Sequence, residues 1–238
     1  MAYQAIFKRY ELKYLLTAMQ KEQLLEVMKP YMELDQYGHS VIRNIYYDTD
    51  TYRLIRHSLE KPVYKEKLRV RSYAKADGKS PVFVELKKKY RSVVYKRRMA
   101  LPEQQANDWL SGKIPCPKES QISREIDYFR SFYETLHPVV CLSYEREAFY
   151  SLGGDDFRVT FDENILFRTN DLSLESKIYG TPLLQNRQLL MEVKTPGGIP
   201  LWMTHFLTEQ RISKTSFSKY GAAYQLLQAN SFGGKLYA

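Results

Sequence analysis

Eight stretches of this chain alternate apolar and polar residues with a period of two, at about residues 4–14, 40–48, 64–73, 81–89, 93–101, 138–150, 156–162 and 188–195. That period sends successive side chains to opposite faces of an extended backbone, so each stretch predicts a β-strand with one apolar face. The second face is unusual in its charge. In "FKRYELKY" it carries Arg9, Glu11 and Lys13; in "YKEKLRVRSY" it sets Lys67, Arg69 and Arg71 against Leu68 and Val70. "VFVELKKKY" sets Glu85, Lys87 and Lys89 against Val84 and Leu86, and "LLMEVKTP" sets Glu192 and Lys194 against Met191 and Val193. Arg146 shares a side with Tyr144 and Ala148, and Arg158, Thr160 and Asp162 face away from Val159 and Phe161. In "SVVYKRRMAL" the pattern leaves two choices, Lys96 with Arg98 or Tyr95 with Arg97 and Met99.

Helical patterns fill the gaps. Thr17, with Gln20 three residues on, predicts a capped helix through "TAMQKEQLLEVMKPYM". "DTYRLIRHSLE" reads as a short helix or turn, and "PEQQANDWL" opens with Pro102 at a favourable first helical position. "ISREIDYFRSFYETL" aligns Ile122, Ile126, Phe129 and Tyr133 in one stripe, and two further helices are predicted at about 200–210 and 217–229. With no repeat, linker or low-complexity tract, residues 1–238 read as a single α+β domain built on a mainly antiparallel sheet.

A sheet with one face in water is the ordinary explanation of such alternation in any one strand. Across seven strands it weakens, because a solvated face usually mixes in neutral polar residues. Curling the strands into a barrel puts the apolar face outward under the helices and the charged face inside. Many cations enclosed in a medium of reduced dielectric repel one another unless a multivalent anion joins them. Scattered carboxylates then make sense as ligands of a divalent metal that bridges the anion, as Mg²⁺ does with phosphates. The whole chain agrees in sign, with 36 Lys and Arg against 27 Asp and Glu and a formal net charge of +9.

Other chemistries lack their motifs. There is no G-x-x-x-x-G-K-[ST] loop, no H-E-x-x-H and no G-x-S-x-G elbow, and the two cysteines, Cys116 and Cys141, have no metal-ligand spacing. Unpaired cysteines favour a reducing, cytoplasmic setting. The N-terminus is charged too early for a signal peptide, and no run approaches the ~18 apolar residues of a membrane span. Any association with the inner face of a membrane is therefore expected to be peripheral or through a membrane-protein partner.

In order and spacing these motifs resemble the triphosphate tunnel metalloenzymes, or CYTH-like proteins, and among them the catalytic domain of the VTC polyphosphate polymerases. The likeness runs from "FKRYELKY" to "SFSKY". The superfamily opens with Glu-x-Glu-x-Lys; this chain opens with Arg9-x-Glu11-x-Lys13, the form similar to the VTC branch. The resemblance implies an eight-stranded antiparallel tunnel that binds a triphosphate, such as ATP, with Mn²⁺ or Mg²⁺. It implies phosphate ligands at Lys13, Arg69, Arg71, Lys87, Arg146 and Arg158. Glu192 matches a metal-binding glutamate, with Glu11 and Glu85 as companion ligands. Lys219 of "SFSKY", beside Ser218, matches a lysine implicated in polymerisation. Where the eukaryotic polymerase has a further lysine before that serine, this chain reads Ser216, with Lys214 nearby. The SPX domain and membrane segment of the eukaryotic subunits find no counterpart, so a stand-alone bacterial-type domain is expected.

The implied reaction is transfer of the ATP γ-phosphoryl group onto a growing inorganic polyphosphate, with Lys219, Lys13 and Arg146 closest to the chemistry. The nucleophile is an anionic phosphate oxygen, so no general base is needed, in keeping with only four scattered histidines. Two alternatives stand beside it. One is hydrolysis of tripolyphosphate or of a nucleoside or thiamine triphosphate in the same tunnel. The other is a non-catalytic module that binds polyphosphate or RNA, with Tyr90 and Tyr95 available to stack on bases. Carboxylates in a backbone-binding groove argue against nucleic acid. At single positions, Glu85 with Lys87 or Glu192 with Lys194 can be plain same-face salt bridges, and Ser216 or Ser218 an ordinary helix cap.

Overall fold

The computed structural model describes residues 10–91 and 93–233; Arg9, the first charge of the opening motif, lies outside them. In chain order the first elements are β1 (Tyr10–Thr17), α1 (Ala18–Met28), β2 (Met32–Asp48), α2 (Arg53–Leu59), β3 (Tyr64–Ser72), β4 (Pro81–Tyr90), β5 (Val93–Pro102) and α3 (Glu103–Leu110). They are followed by α4 (Gln121–Tyr133), β6 (His137–Ser151), β7 (Arg158–Arg168), β8 (Thr181–Pro182), β9 (Gln188–Thr195), α5 (Leu201–Glu209), β10 (Lys214–Thr215) and α6 (Lys219–Gly233). The strands pair in the order β10-β1-β9-β7-β6-β2-β3-β4-β5, with β8 attached to β7. The fold is thus α+β with a mostly antiparallel sheet.

Ten strands stand where eight were expected, and their path is open among the described residues. Eight of them coincide with the eight alternating stretches. The additions, β8 and β10, are two residues long, too short to carry a period. The larger difference is β2, which begins at Met32 rather than near residue 40. Its first half, "MELDQYGHS", is exposed on both sides at most positions, so no apolar face marks it. Correspondingly α1 stops at Met28, short of the predicted end.

The chain divides into two compact units interleaved in sequence. The first takes the described residues of 1–41, 144–165 and 184–217. Here β1 pairs with β9, and β9 with β7, in a register that stacks Leu12 with Val193 and Val159, and Tyr14 with Met191 and Phe161. These residues form one core with Leu24 and Met28 of α1 and Met203 and Phe206 of α5. The start of α1 is held as its sequence predicts: Gln20 N donates to Thr17 Oγ1 at 3.2 Å, and Thr17 N to Gln20 Oε1 at 2.9 Å.

The second unit takes the described residues of 42–143, 166–183 and 218–238. Its centre is the β3–β4–β5 meander, whose buried face of Leu68, Val70, Val84, Leu86, Met99 and Leu101 packs on Trp109, Ile126 and Phe129 of α3 and α4. Burying each such side chain is worth about 1.5–3 kcal/mol. Ile126 and Phe129 are fully covered, while Ile122 and Tyr133 of the predicted stripe flank them. Pro102 precedes α3 as its N-cap residue rather than its first helical residue. A second cluster joins Tyr46, Ile55, Leu142 and Phe167 to Tyr220 and Ala223 of α6. Gly180, at φ +150°, leads into β8; a Cβ there would collide with the Phe167 carbonyl oxygen. None of the described helices is long and apolar enough to cross a membrane.

Candidate functional site

Register turns the alternation of single strands into rows of charge. In the second unit one row is Arg69, Glu85 and Arg98, and the next is Lys67, Lys87 and Lys96. The choice left open in β5 is therefore settled: Lys96 and Arg98 lie on the charged face, with Met99 in the core. Glu85 is only 1% exposed, and three cations converge on it. Arg69 reaches its Oε2 through Nε at 2.8 Å and Nη2 at 2.7 Å. Lys96 Nζ lies 2.7 Å and Arg98 Nε 2.8 Å from Oε1, the latter as an ion contact without hydrogen-bond alignment. Burial alone would raise the Glu85 pKa, but Arg69, Arg71 and Lys96 outweigh it and bring it down to about 2.

The adjacent row has no carboxylate. Lysines paired directly across neighbouring strands repel one another. The effect reaches Lys65, whose pKa is lowered by burial and then by Lys89 and Lys87. Lys67 Nζ also donates to Ser218 Oγ at 3.4 Å. Ser218 caps α6, its Oγ accepting from Gly221 N at 3.2 Å, and Lys219 opens the helix in a buried position. The partial positive charge of a helix N-terminus is thus added to Lys67.

Tyr46 of β2 stands opposite Arg69, and its hydroxyl accepts from Arg69 Nη1 at 3.0 Å. Burial pushes its pKa up, yet Arg69, Lys67 and Arg71 together bring it down to about 8. Its ring stacks on Tyr220 at 4.8 Å, and the Tyr220 hydroxyl donates to Asp48 Oδ2 at 2.8 Å. Asp48 also accepts from Leu54 N and Ile55 N at the start of α2. The charged face is in this way braced to α2 and α6. Arg71 is held by Asn44, Nε to Oδ1 at 2.8 Å.

In the first unit each row mixes the two signs. Lys13, Glu192 and Thr160 form one row; Glu11, Lys194 and Arg158 form the next. Lys13 Nζ lies 3.4 Å from Glu11 Oε1 and 3.3 Å from Glu192 Oε1. Arg146 forks onto Asp162 through Nε at 2.5 Å and Nη2 at 2.7 Å, and Nη2 reaches Glu192 Oε2 at 3.2 Å. Asp162 is fully buried, so this is a charge pair that neither partner can lose cheaply. Arg158 is more open, its side chain 60% exposed and 3.8 Å from Asp156. Among the described residues no three His, Cys, Asp or Glu side chains form a metal cage. Magnesium-type ions, however, commonly take one or two carboxylates and leave their other positions to water and phosphate. The hard oxygen donors of Glu192 and Glu11 fit that chemistry. Cations engage both oxygens of Glu85 at 2.7–2.8 Å, more closely than Lys13 and Arg146 approach those of Glu192, at 3.3 and 3.2 Å.

A model of the VTC domain family matches residues 8–228. The chain belongs to the VTC domain family. This VTC domain also resembles solved structures. One is a candidate adenylate cyclase from Bacillus halodurans, 15% identical with TM-score 0.54, the match covering 90% of this chain and 94% of that one. Another is a candidate adenylyl cyclase from Hippeastrum described as having a dominant triphosphatase activity, 16% identical with TM-score 0.52, covering 88% and 92%. At these identities the likeness is one of fold. No curated protein matched.

The structure of the VTC domain gathers Arg69, Arg71, Lys87 and Glu85 on one face of the second unit, where Ser218 and Lys219 open α6. It gathers Lys13, Glu11, Arg146, Arg158 and Glu192 in the first. Lys67, Lys96 and Arg98 join the charged rows without having been picked out, although the alternation alone marked Lys67. Asp162 was legible as a charged-face residue; nothing in sequence identified it as the partner of Arg146. Tyr46 belongs to the second core cluster and at the same time stands opposite Arg69. Lys214 pairs with Tyr14, on the apolar side of β1 rather than beside Lys13.

Proposed function

We propose that this VTC domain is a metal-dependent enzyme that transfers the γ-phosphoryl group of ATP onto inorganic polyphosphate, within an eight-stranded tunnel of the kind the family resemblance implies. The observation that carries the reading is the in-register row Lys67–Lys87–Lys96. Its like charges lie side by side, with Lys96 also 2.7 Å from Glu85, and an anion that touches several of them at once offsets their repulsion. Its neighbours Arg69 and Arg71 present guanidinium forks suited to phosphate oxygens, and the capped start of α6 supplies Lys219 and oriented backbone N–H groups.

In the reaction a terminal phosphate oxygen of the polyphosphate forms a bond to the γ-phosphorus as the bond to the β-phosphate oxygen breaks, and ADP leaves. The protein's part is to hold both anions and offset the charge on the transferred group. Lys219, Lys13 and Arg146 are assigned to that task, and Lys87, Arg158 and Ser218 to binding. Glu192 with Glu11 would hold Mn²⁺ or Mg²⁺, which supplies neutralisation of adjacent phosphates. Glu85 is assigned as the counter-ion that spaces Arg69, Lys96 and Arg98, its metal role being the weaker fit.

Hydrolysis is the second reading, favoured by the triphosphatase activity described for the Hippeastrum protein of the same fold. The test is to incubate the purified protein with ATP and Mn²⁺ or Mg²⁺, resolve polyphosphate on a gel, and assay ADP and free phosphate. Polyphosphate with matching ADP, lost in Lys219→Ala, supports transfer. Free phosphate without polymer supports hydrolysis, and no turnover under any metal overturns both.

A further inference from the structure

The charged face of the second unit ends in aromatic rings. Beyond the row of Arg69, Glu85 and Arg98 comes the row of Arg71, Phe83 and Ala100. Tyr73 follows Arg71 on the same face. The rings of Tyr73 and Phe83 meet edge to face, with centroids 5.5 Å apart and planes at 76°. Arg98 covers both: its Cζ lies 3.9 Å from the Phe83 centroid and 5.4 Å from that of Tyr73, and its Nη2 donates to the Tyr73 hydroxyl. Arg71 adds a second guanidinium, 5.8 Å from the Tyr73 ring.

Core packing does not account for these rings, because the core under the meander lies on the opposite face of the strands and neither ring belongs to the second cluster. Every other position of that face from 65 to 71 and from 85 to 89 is charged. Tyr73 is 43% exposed, and Ala100, paired with Phe83, is exposed as well. Tyr90 and Tyr95, also exposed, sit on the alternate face and cannot serve the same ligand. An aromatic pair gripped by arginines is a surface on which a heterocycle stacks, with cation–π attraction added. Successive rows of one face are about 7 Å apart. A base on the Phe83 row would thus let a phosphate chain run over Arg69 and Arg98 to the lysine row, about 14 Å away.

We infer that Tyr73, Phe83 and Arg98 form a stacking subsite for the base of a nucleoside triphosphate, by which the protein prefers nucleotides to inorganic tripolyphosphate. The inference rests on the triphosphate-binding reading above. Stacking is indifferent to the identity of the base, so ATP and GTP should bind alike.

Calorimetric titration at fixed Mn²⁺ would compare ATP, GTP, ribose 5-triphosphate and tripolyphosphate on the unaltered protein, then on Phe83→Leu and Tyr73→Leu, with a thermal melt of each variant. We expect ATP and GTP to bind about 5- to 100-fold more tightly than ribose 5-triphosphate. Each variant should lose much of that margin while its tripolyphosphate affinity changes less than twofold. Equal binding of ATP and ribose 5-triphosphate to the unaltered protein overturns the subsite even if the variants do not fold. So does an equal loss for every ligand, or no loss for any. Failure of tripolyphosphate itself to bind would instead strike at the triphosphate reading.

Discussion

Glu85 shows how one side chain sets the character of a face. It is the sole carboxylate in its row, and Arg69, Lys96 and Arg98 are all within ion-pair distance of it. Removing its charge in Glu85→Gln leaves three cations facing one another, and a loss of about 1–3 kcal/mol is expected, less than for a fully buried pair because the cations are partly solvated. Tripolyphosphate should restore part of that loss; thermal melts with and without it are the check, and a variant that melts as the parent does would dismiss the role. Tyr46 makes a second residue-scale prediction. Its pKa is depressed to about 8 from 10, so the phenolate adds stability that is fully present above pH 10 and fades as pH falls through 8. Phenolate absorbance should show one tyrosine titrating near 8, absent in Tyr46→Phe and shifted upward when a polyanion neutralises Arg69 and Lys67.

At the scale of the element, α6 matters most by where it starts. Ser218 Oγ receives Gly221 N and also Lys67 Nζ, so one hydroxyl both caps the helix and faces the lysine row. Ser218→Ala should cost about 1 kcal/mol of stability by losing the cap. Ser218→Asp keeps an acceptor for Gly221 N and adds a negative charge where a phosphate would lie. Its stability should stay within about 0.5 kcal/mol of the parent while triphosphate affinity falls at least tenfold. Equal affinity in parent and Ser218→Asp would place the bound anion elsewhere. The β3–β5 meander makes the complementary point, since its antiparallel register brings like charges side by side. Between β4 and β5 Tyr90 pairs with Val93, with Arg91 at φ +43° in the connection.

For the molecule as a whole, the net charge of +9 and the carboxylates of the first unit make different demands. A polyanion held by cations alone would weaken steadily with monovalent salt and ignore chelators, whereas one bridged by a divalent ion should weaken sharply when that ion is removed. Titrating Mn²⁺ or Mg²⁺ into parent and Glu192→Gln should shift the metal dependence of binding to higher concentration in the variant; superimposable curves would remove Glu192 from a metal site. Much of this architecture was legible in the chain. Period-two alternation identified the eight long strands, and the Thr17 capping pattern and apolar stripes located the helices, because those signals depend on neighbours within a few residues. The charged face was legible for the same reason. Only the tertiary structure decided which charges meet. Register across β3, β4 and β5 made Glu85 a shared counter-ion and set three lysines in one row, and the pairing of β7 with β9 set Asp162 and Glu192 around Arg146. It also brought Tyr46 beside Arg69 and Tyr73 beside Phe83. Those contacts link residues nine or more positions apart in the chain, and each strand's own periodicity is satisfied by either choice of neighbour, so no local pattern could specify them.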